Sequence, residues 1–418
     1  VAHLLVVESW VGSMSRLLPR ALEEGAHHFT FLTRDLHHYL RSAPEGAGHP
    51  LLTARNVVTA PTNDIGTLLP QVERLHHALR FDGVVTSCDY YLPAAARIAT
   101  LLGLPGPSAA AVESACRKDT TRRVLAAAGV PGPRFAVCAD GAEATAAARD
   151  IGYPLVVKPV DLCAGMLVRR VDGPEQLAEA CRALAAFPHN ARGQRRTPHI
   201  LLEEFLRGPE VSVETVTCRG VAHVVGVTDK SVGGAPAFVE TGHMFPAALA
   251  PDDLADVTGT ALRAGAALGL DDVVAHTEIK LTADGPRVVE VNPRPAGNRI
   301  TELVRHVTGI DLAAACIDVA LGREPDLVRR DTGLRSAAIG FLVPDVAGTL
   351  ASVEGADAVR GAEGVLEVQV AEAGRTVEVA DSNNAYLGHV MAGDPTGLGA
   401  RNRVEALLAG VRPLLVRS

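Results

Sequence analysis

The stretch RVVEVNPRPAGNRI, residues 287–300, decides how the rest of the chain reads. Arg287 to Val291 has the apolar content of a short strand, yet it carries Glu290 and runs straight into Asn292, Pro293, Arg294 and Pro295. Proline cannot continue a strand ladder, so the strand stops where a carboxylate, an amide and a guanidinium are delivered together. Just upstream, HTEIKL puts Glu278 on a neighbouring strand joined through the turn ADGP, which lets both carboxylates face one side. Glu278, Glu290 and Asn292 are hard oxygen donors of the kind that suits Mg2+, which keeps open positions for water and substrate phosphate. Arg294, just past them, can clamp a phosphoryl group in transfer.

If phosphate is the partner, cations should be rationed around it. Of the 40 basic residues only Lys118, Lys158, Lys230 and Lys280 are lysines, so a retained lysine marks a place for a compact ammonium. In GYPLVVKP an apolar strand carries Lys158 inward, where an unpaired ammonium costs several kcal/mol unless an anion meets it (about 2–7 for a polar group). Lys118 offers a second positive point. The loop VDLCAGMLV after Lys158 has the small residues, Ala164 and Gly165 among them, to fold its N–H groups over phosphates, although a ligand-free turn would read the same way. In ILLEEFLRGPEVSVE the strand ends in Glu203 and Glu204 and resumes after Gly208-Pro209. A chain crossing there can offer adenine backbone groups at Phe205 and Leu206 and offer a ribose Glu210; an acidic β-hairpin has the same residues.

Composition narrows the classes. The chain has 418 residues, 47% of them hydrophobic, enough for two to four domains at roughly 100–200 residues each. No apolar run nears the roughly 20 residues of a membrane helix, and the N-terminus lacks a basic stretch with a cleavage site, so cytoplasmic residence without a membrane partner is expected. A formal charge of −8 argues against nucleic acid, and the basic run Arg192 to Arg196 reads as a solvated loop. Seven cysteines without C-x-x-C spacing read as reduced thiols.

The element pattern opens with alternating strands and helices over residues 1–112: HLLVVES, a helix from Ser13 to Glu24, HFTFLT, NVVTA, Ile65 to Leu79, DGVVTS and Leu92 to Leu102. This is a Rossmann-like unit with a parallel sheet, but no G-x-G-x-x-G follows its first strand. Residues 113–204 hold two linker helices, the first ending at Lys118, then strands FAVC, PLVVKP and MLVRRV, two helices, and a polar loop HNARGQRRTP expected to be mobile. Residues 205–335 are rich in antiparallel strands. Residues 336–418 form a small α/β piece, with a closing helix from Thr396 to Leu408, that completes the large domain.

Taken in order, Lys118, VVKP, EEFLRGPE, EIK and EVNPR resemble the ATP-grasp superfamily over residues 1 to about 335. That resemblance implies an α/β and α+β architecture: an N-terminal Rossmann-like domain, a small swivelling domain and a larger antiparallel β domain, with ATP between the last two. It implies ATP and Mg2+ (or Mn2+) as cofactors. Lys118 and Lys158 would meet the α- and β-phosphates, Glu203, Glu204, Phe205 and Leu206 adenine, Glu210 the ribose, and Arg294 the γ-phosphate or an acyl phosphate. TDKSVGGAPAFVETGHMFP followed by NPRPAGNRI is similar to bacterial amino-acid ligases of the bacilysin-synthetase type. This adds Lys230 to the nucleotide site and places Glu240, His243, Gly297 and Asn298 beside the carboxylate substrate. The implied activity is dipeptide synthesis from small molecules, in antibiotic biosynthesis, by a homodimer. Competing readings are a purine-pathway or carboxylase-type ligase and a nucleotide-binding scaffold without catalysis. One departure stands out: Cys163-Ala164-Gly165-Met166 lacks the serines common in the phosphate loops of relatives.

Overall fold

The computed structural model describes residues 1–10, 12, 14–41, 48–233 and 237–416; Ser13, the expected start of the first helix, lies outside them. The run HLLVV is buried at every position, as a strand covered on both faces must be. It forms β1 (His3–Val7), followed by α1 (Met14–Glu24), β2 (His28–Thr33), α2 (Leu36–Leu40), β3 (Asn56–Thr59), α3 (Ile65–Leu79), β4 (Gly83–Val85) and α4 (Leu92–Leu102). These strands are parallel in the order β3-β2-β1-β4. Alternate residues of β1 feed two cores: Leu4 and Val6 join Leu18 and Leu22 of α1, while Leu5 and Val7 join Leu68 of α3 and Ile98 of α4. Beyond the strand end, Glu8 turns its carboxylate inward to accept hydrogen bonds from Thr33, Tyr39, Thr62 and the Arg34 N–H.

Two helices follow, α5 (Ala109–Cys116) and α6 (Lys118–Ala127). The break between them is Arg117, in extended backbone, so Lys118 opens the second helix instead of closing the first. Next come β5 (Phe135–Cys138), α7 (Gly141–Ile151), β6 (Leu155–Pro159), β7 (Arg169–Val171), α8 (Pro174–Ala185) and β8 (Ile200–Glu204). Their antiparallel sheet, β5-β8-β6-β7, packs Leu155, Val157 and Leu202 against Ala144, Leu177 and Cys181 of the helices. Each fully buried aliphatic contributes about 1.5–3 kcal/mol.

Two expectations fail in this unit. The MLVRRV strand shrinks to Arg169–Val171 because Ala164, Gly165 and Leu167 take φ values of 57°, 70° and 57°, a left-handed turn and not a ladder. The loop expected to be solvated and mobile is docked on the N-terminal unit. Arg192 is 4% exposed, donates to the Ser9 carbonyl and lies 5.5 Å over the rings of Trp10 and Tyr39. Arg34 and Asn63 hold the Arg192 carbonyl at 2.9 and 2.8 Å. A guanidinium buries readily where aromatic faces and carbonyls receive it, and those partners lie far away in sequence.

The remainder comprises β9 (Glu210–Cys218), β10 (Val221–Val232), β11 (Glu240–Phe245), α9 (Pro251–Leu268), β12 (Val273–Thr282), β13 (Gly285–Asn292), α10 (Ile300–Thr308), α11 (Leu312–Ala320), β14 (Ser336–Leu342), β15 (Gly348–Glu354), α12 (Ala356–Arg360), β16 (Val365–Val370), β17 (Thr376–Val377), β18 (Gly388–Asp394), α13 (Ala400–Leu408) and β19 (Arg412–Val416). One antiparallel sheet runs β13-β12-β9-β10-β11-β14-β18-β16, so the C-terminal piece extends the large sheet, and a small sheet β17-β15-β19 stands beside it. The helix expected from Thr396 begins at Ala400 and does not close the chain, since β19 follows it. On one face of the large sheet Val211, Val213, Val227 and Ile279 pack under Val257, Ala261 and Ala264 of α9. At the crossing from β8 to β9, a Cβ on Gly208 would sit 1.9 Å from the Leu281 carbonyl oxygen, and φ is +138°; only glycine fits there. Among the described residues, no helix is long and apolar enough to cross a membrane.

Candidate active site

The other face of the large sheet is polar because residues two apart on a strand share a face, and here those residues are charged. One row across the sheet reads Lys280, Glu210, Lys230, His243; the next pairs Glu290 with Glu278 and Glu278 with Ser212; a third pairs Asn292 with His276 and His276 with Glu214. Buried charges persist only when paired, and these are. Lys230 Nζ lies 2.6 Å from Glu278, 3.0 Å from Glu240 and 3.1 Å from Glu210. Burial works to lower the pKa of this ammonium, but the three carboxylates hold it well above its usual value. Burial likewise opposes ionisation of Glu240 and Glu278, but Lys230 together with His243 and Asn298 at Glu240, and with His276 at Glu278, outweighs it, so both stay well below the ordinary carboxylate range. His276, between Glu214 at 3.0 Å and Glu278 at 3.2 Å, is raised to about 9 against the effect of burial.

This face floors a cleft of about 580 Å³ whose walls come from all three parts of the chain. On the cleft wall Lys118 Nζ bridges Glu290 at 2.8 Å and the Leu162 carbonyl at 2.6 Å. Beside it Lys158 meets Glu203 at 2.6 Å, and Arg122 meets the same carboxylate at 2.5 Å. The two lysines respond differently. Burial lowers both, but Glu290 carries Lys118 upward, whereas Lys158 shares its carboxylate with Arg122 and stays lowered. An anion arriving at Lys158 would relieve that deficit.

Of the stretch expected at adenine, Glu203 lines the cleft with its side chain paired to Arg122 and Lys158. Glu204 is tied to Arg134 at 2.9 Å. The Phe205 N–H already faces the Pro154 carbonyl at 3.3 Å, while its ring stacks on Phe238 at 6.2 Å and under Arg170 at 4.7 Å. Phe205, Leu206 and Glu210 all line the cleft, as do Ala164 and Gly165 opposite them.

On the same wall Arg294 Nε donates to Asp89 at 2.7 Å, and Asp89 also accepts from the Trp10 indole at 2.7 Å. Glu240 accepts from Asn298 Nδ2, its N–H donates to Asn383 at 2.9 Å and its carbonyl accepts from Tyr386 OH at 2.9 Å. Gly297 and Asn298 line the cleft with them. Two expected site residues do not reach the wall. Lys230 sits behind its three carboxylates, 5% exposed. His243, expected beside the carboxylate substrate, is on β11 in mid-sheet with its side chain fully buried, 3.1 Å from Glu240. That separation is close for a charge contact, yet neither ring nitrogen makes a well-directed hydrogen bond among the described residues.

Glu278, Glu290 and Asn292 line the cleft together, and as two carboxylates and an amide they fit a hard divalent cation that completes its shell with phosphate oxygens and water. Among the described residues no cluster of three or more His, Cys, Asp or Glu could hold a metal by itself. Asp89, Trp10, Arg122, Asn383 and Tyr386 were not singled out from the sequence. Asp89 had a usable signal, since it follows a parallel strand at its C-terminal end, where such sheets bind ligands. The others had none.

Three families match the chain: the ATP-grasp N-terminal domain over residues 27–106, the ATP-grasp domain over 151–302 and the L-amino acid ligase C-terminal domain 2 over 340–415. An uncharacterized protein of Sinorhizobium fredii is 31% identical over 75% of this chain and 64% of its own length. Alanine–anticapsin ligase of Bacillus amyloliquefaciens is 25% identical over 62% of this chain and 58% of its own. The chain thus spans roughly three-fifths of these relatives. The L-amino acid ligase of Bacillus licheniformis superimposes with a TM-score of 0.82 at 24% identity, over 100% of this chain and 99% of that one. With an ATP-grasp core between the matching N- and C-terminal domains, this chain belongs to the ATP-grasp superfamily and is L-amino acid ligase-like.

Proposed function

We propose that the chain is an ATP-dependent ligase that joins the carboxylate of one amino acid to the amine of a second, through an acyl phosphate, with release of ADP and phosphate. One observation supports this above the others: the corner formed by Glu278, Glu290 and Asn292 lies on the same cleft as Arg294 and Glu240. Phosphate chemistry and a site for an amino group therefore share one enclosure.

In this reading Lys118 and Lys158 hold the phosphates of ATP, and Glu210 holds the ribose. A divalent cation bound by Glu278, Glu290 and Asn292 would supply positive charge between phosphate and carboxylate. Glu240, ionised and anchored by Lys230 and Asn298, receives the ammonium of the carboxylate donor. The donor oxygen attacks the γ-phosphorus and ADP leaves; the amine then attacks the acyl carbon and phosphate leaves with loss of one proton. Arg294, oriented by Asp89, stabilises the oxyanion formed in that second step.

The test is ADP release over a panel of amino-acid pairs with Mg-ATP. ADP and phosphate in step with dipeptide are expected for at least one pair. AMP and pyrophosphate as stoichiometric products, or no nucleotide turnover with any pair, would overturn the proposal.

A further inference from the structure

Besides His276, which is paired with Glu214 and Glu278, six lysines and arginines line the cleft, Lys118, Arg122, Lys158, Lys280, Arg294 and Arg375. Five have a carboxylate partner: Glu290, Glu203, Glu203 again, Glu210 and Asp89. Arg375 has none among the described residues. It precedes β17, is exposed, and makes one side-chain hydrogen bond, from Nη1 to the Tyr386 carbonyl at 3.0 Å.

That single bond sets its position. Tyr386 is fixed by a 4.3 Å parallel stack on Phe341 and by the bond from its hydroxyl to the Glu240 carbonyl at 2.9 Å. Tyr386 thus links Arg375, through its main-chain carbonyl, to the main chain of Glu240, through its hydroxyl, and Nε and Nη2 of Arg375 make no hydrogen bond among the described residues. The ligation has a charge that no residue discussed so far receives. The first amino acid loses its carboxylate to phosphate transfer, but the second keeps its α-carboxylate through to product. A guanidinium with two free donors matches a carboxylate in bidentate fashion.

We infer that Arg375 binds the α-carboxylate of the amine-donating amino acid, and so selects amino acids over simple amines as second substrate. This rests on the ligase reading above. The test compares wild type, Arg375→Ala and Arg375→Lys on the best pair from the panel and on the same pair with the second amino acid as its primary amide. Wild type should favour the acid by at least about tenfold in kcat/KM, consistent with a charge-assisted contact. Arg375→Ala should erase that preference by raising KM for the acid, with the amide and the KM values for ATP and the first amino acid nearly unchanged. Arg375→Lys should restore part of it. An unchanged acid-to-amide ratio in Arg375→Ala, or equal losses on both, would overturn this assignment alone; no ADP release by wild type with any pair removes the ligase reading and this assignment with it.

Discussion

Glu278 and Glu290 are direct cross-strand partners on β12 and β13, and each is held by a different lysine, Lys230 at 2.6 Å and Lys118 at 2.8 Å. Like charges placed opposite each other destabilise a sheet, and the two ammoniums offset that repulsion. Both carboxylates stand on the cleft wall, where a cation could meet them together. Glu278→Gln and Glu290→Gln should each reduce turnover by about 100-fold or more and raise the magnesium concentration giving half-maximal ADP release. Wild-type magnesium dependence in both variants would remove these residues from the metal site.

Arg294 is aimed by Asp89, a residue 205 positions earlier in the chain. Replacing Arg294 with Ala should lower kcat by about 100-fold with little effect on KM for ATP. Asp89→Asn keeps the guanidinium but loosens its orientation, and kcat should fall by about 10- to 100-fold. A larger change in KM for ATP than in kcat would place this pair at the nucleotide instead.

Glu203 is a stability element as much as a site residue, because Arg122 and Lys158 are both buried against it. Glu203→Gln takes the carboxylate from both cations, and breaking a buried pair costs about 3–5 kcal/mol. The midpoint of urea unfolding should drop accordingly, with an unchanged slope. A loss of less than about 1 kcal/mol would mean that the cluster is hydrated, since exposed pairs are worth no more than that.

Glu367 secures the loop that carries Asn298. It contacts Arg299 and the His389 ring at 3.2 Å. The His389 hydrogen bond, with Arg299 adding to it, brings the carboxyl down to about 2 against the opposing effect of burial. Because the folded value lies below the unfolded one, this stabilisation is complete above about pH 4.5 and is lost as pH falls through about 2. Glu367→Gln should therefore be less stable than wild type at pH 7, and the gap should narrow between pH 4.5 and 2. A pH-independent gap would refute the linkage.

Much of the architecture was legible because burial writes itself into local pattern. HLLVV reads as a strand apolar on both faces, and the alternation in EVSVE as a strand between an apolar and a polar face. β11 was missed because ETGHMF contains a glycine and sits among loop-like residues; its strand state comes from pairing with β10 and β14 on either side. α11 was missed because LAAACIDVA lacks a polar face, and it lacks one because it packs against both the N-terminal core and the large-sheet core.

The sequence by itself determined that oxygens, scarce ammoniums and a guanidinium are delivered at strand ends in ATP-grasp order. Only the tertiary structure decided which cation each carboxylate meets: Glu203 with Lys158 and Arg122, Glu290 with Lys118, Lys230 with Glu210, Glu240 and Glu278, and Arg375 with none among the described residues. The reason is register. A slip of one residue would turn every side chain of a strand to the opposite face, so partners far apart in sequence are set by how the strands align across the sheet.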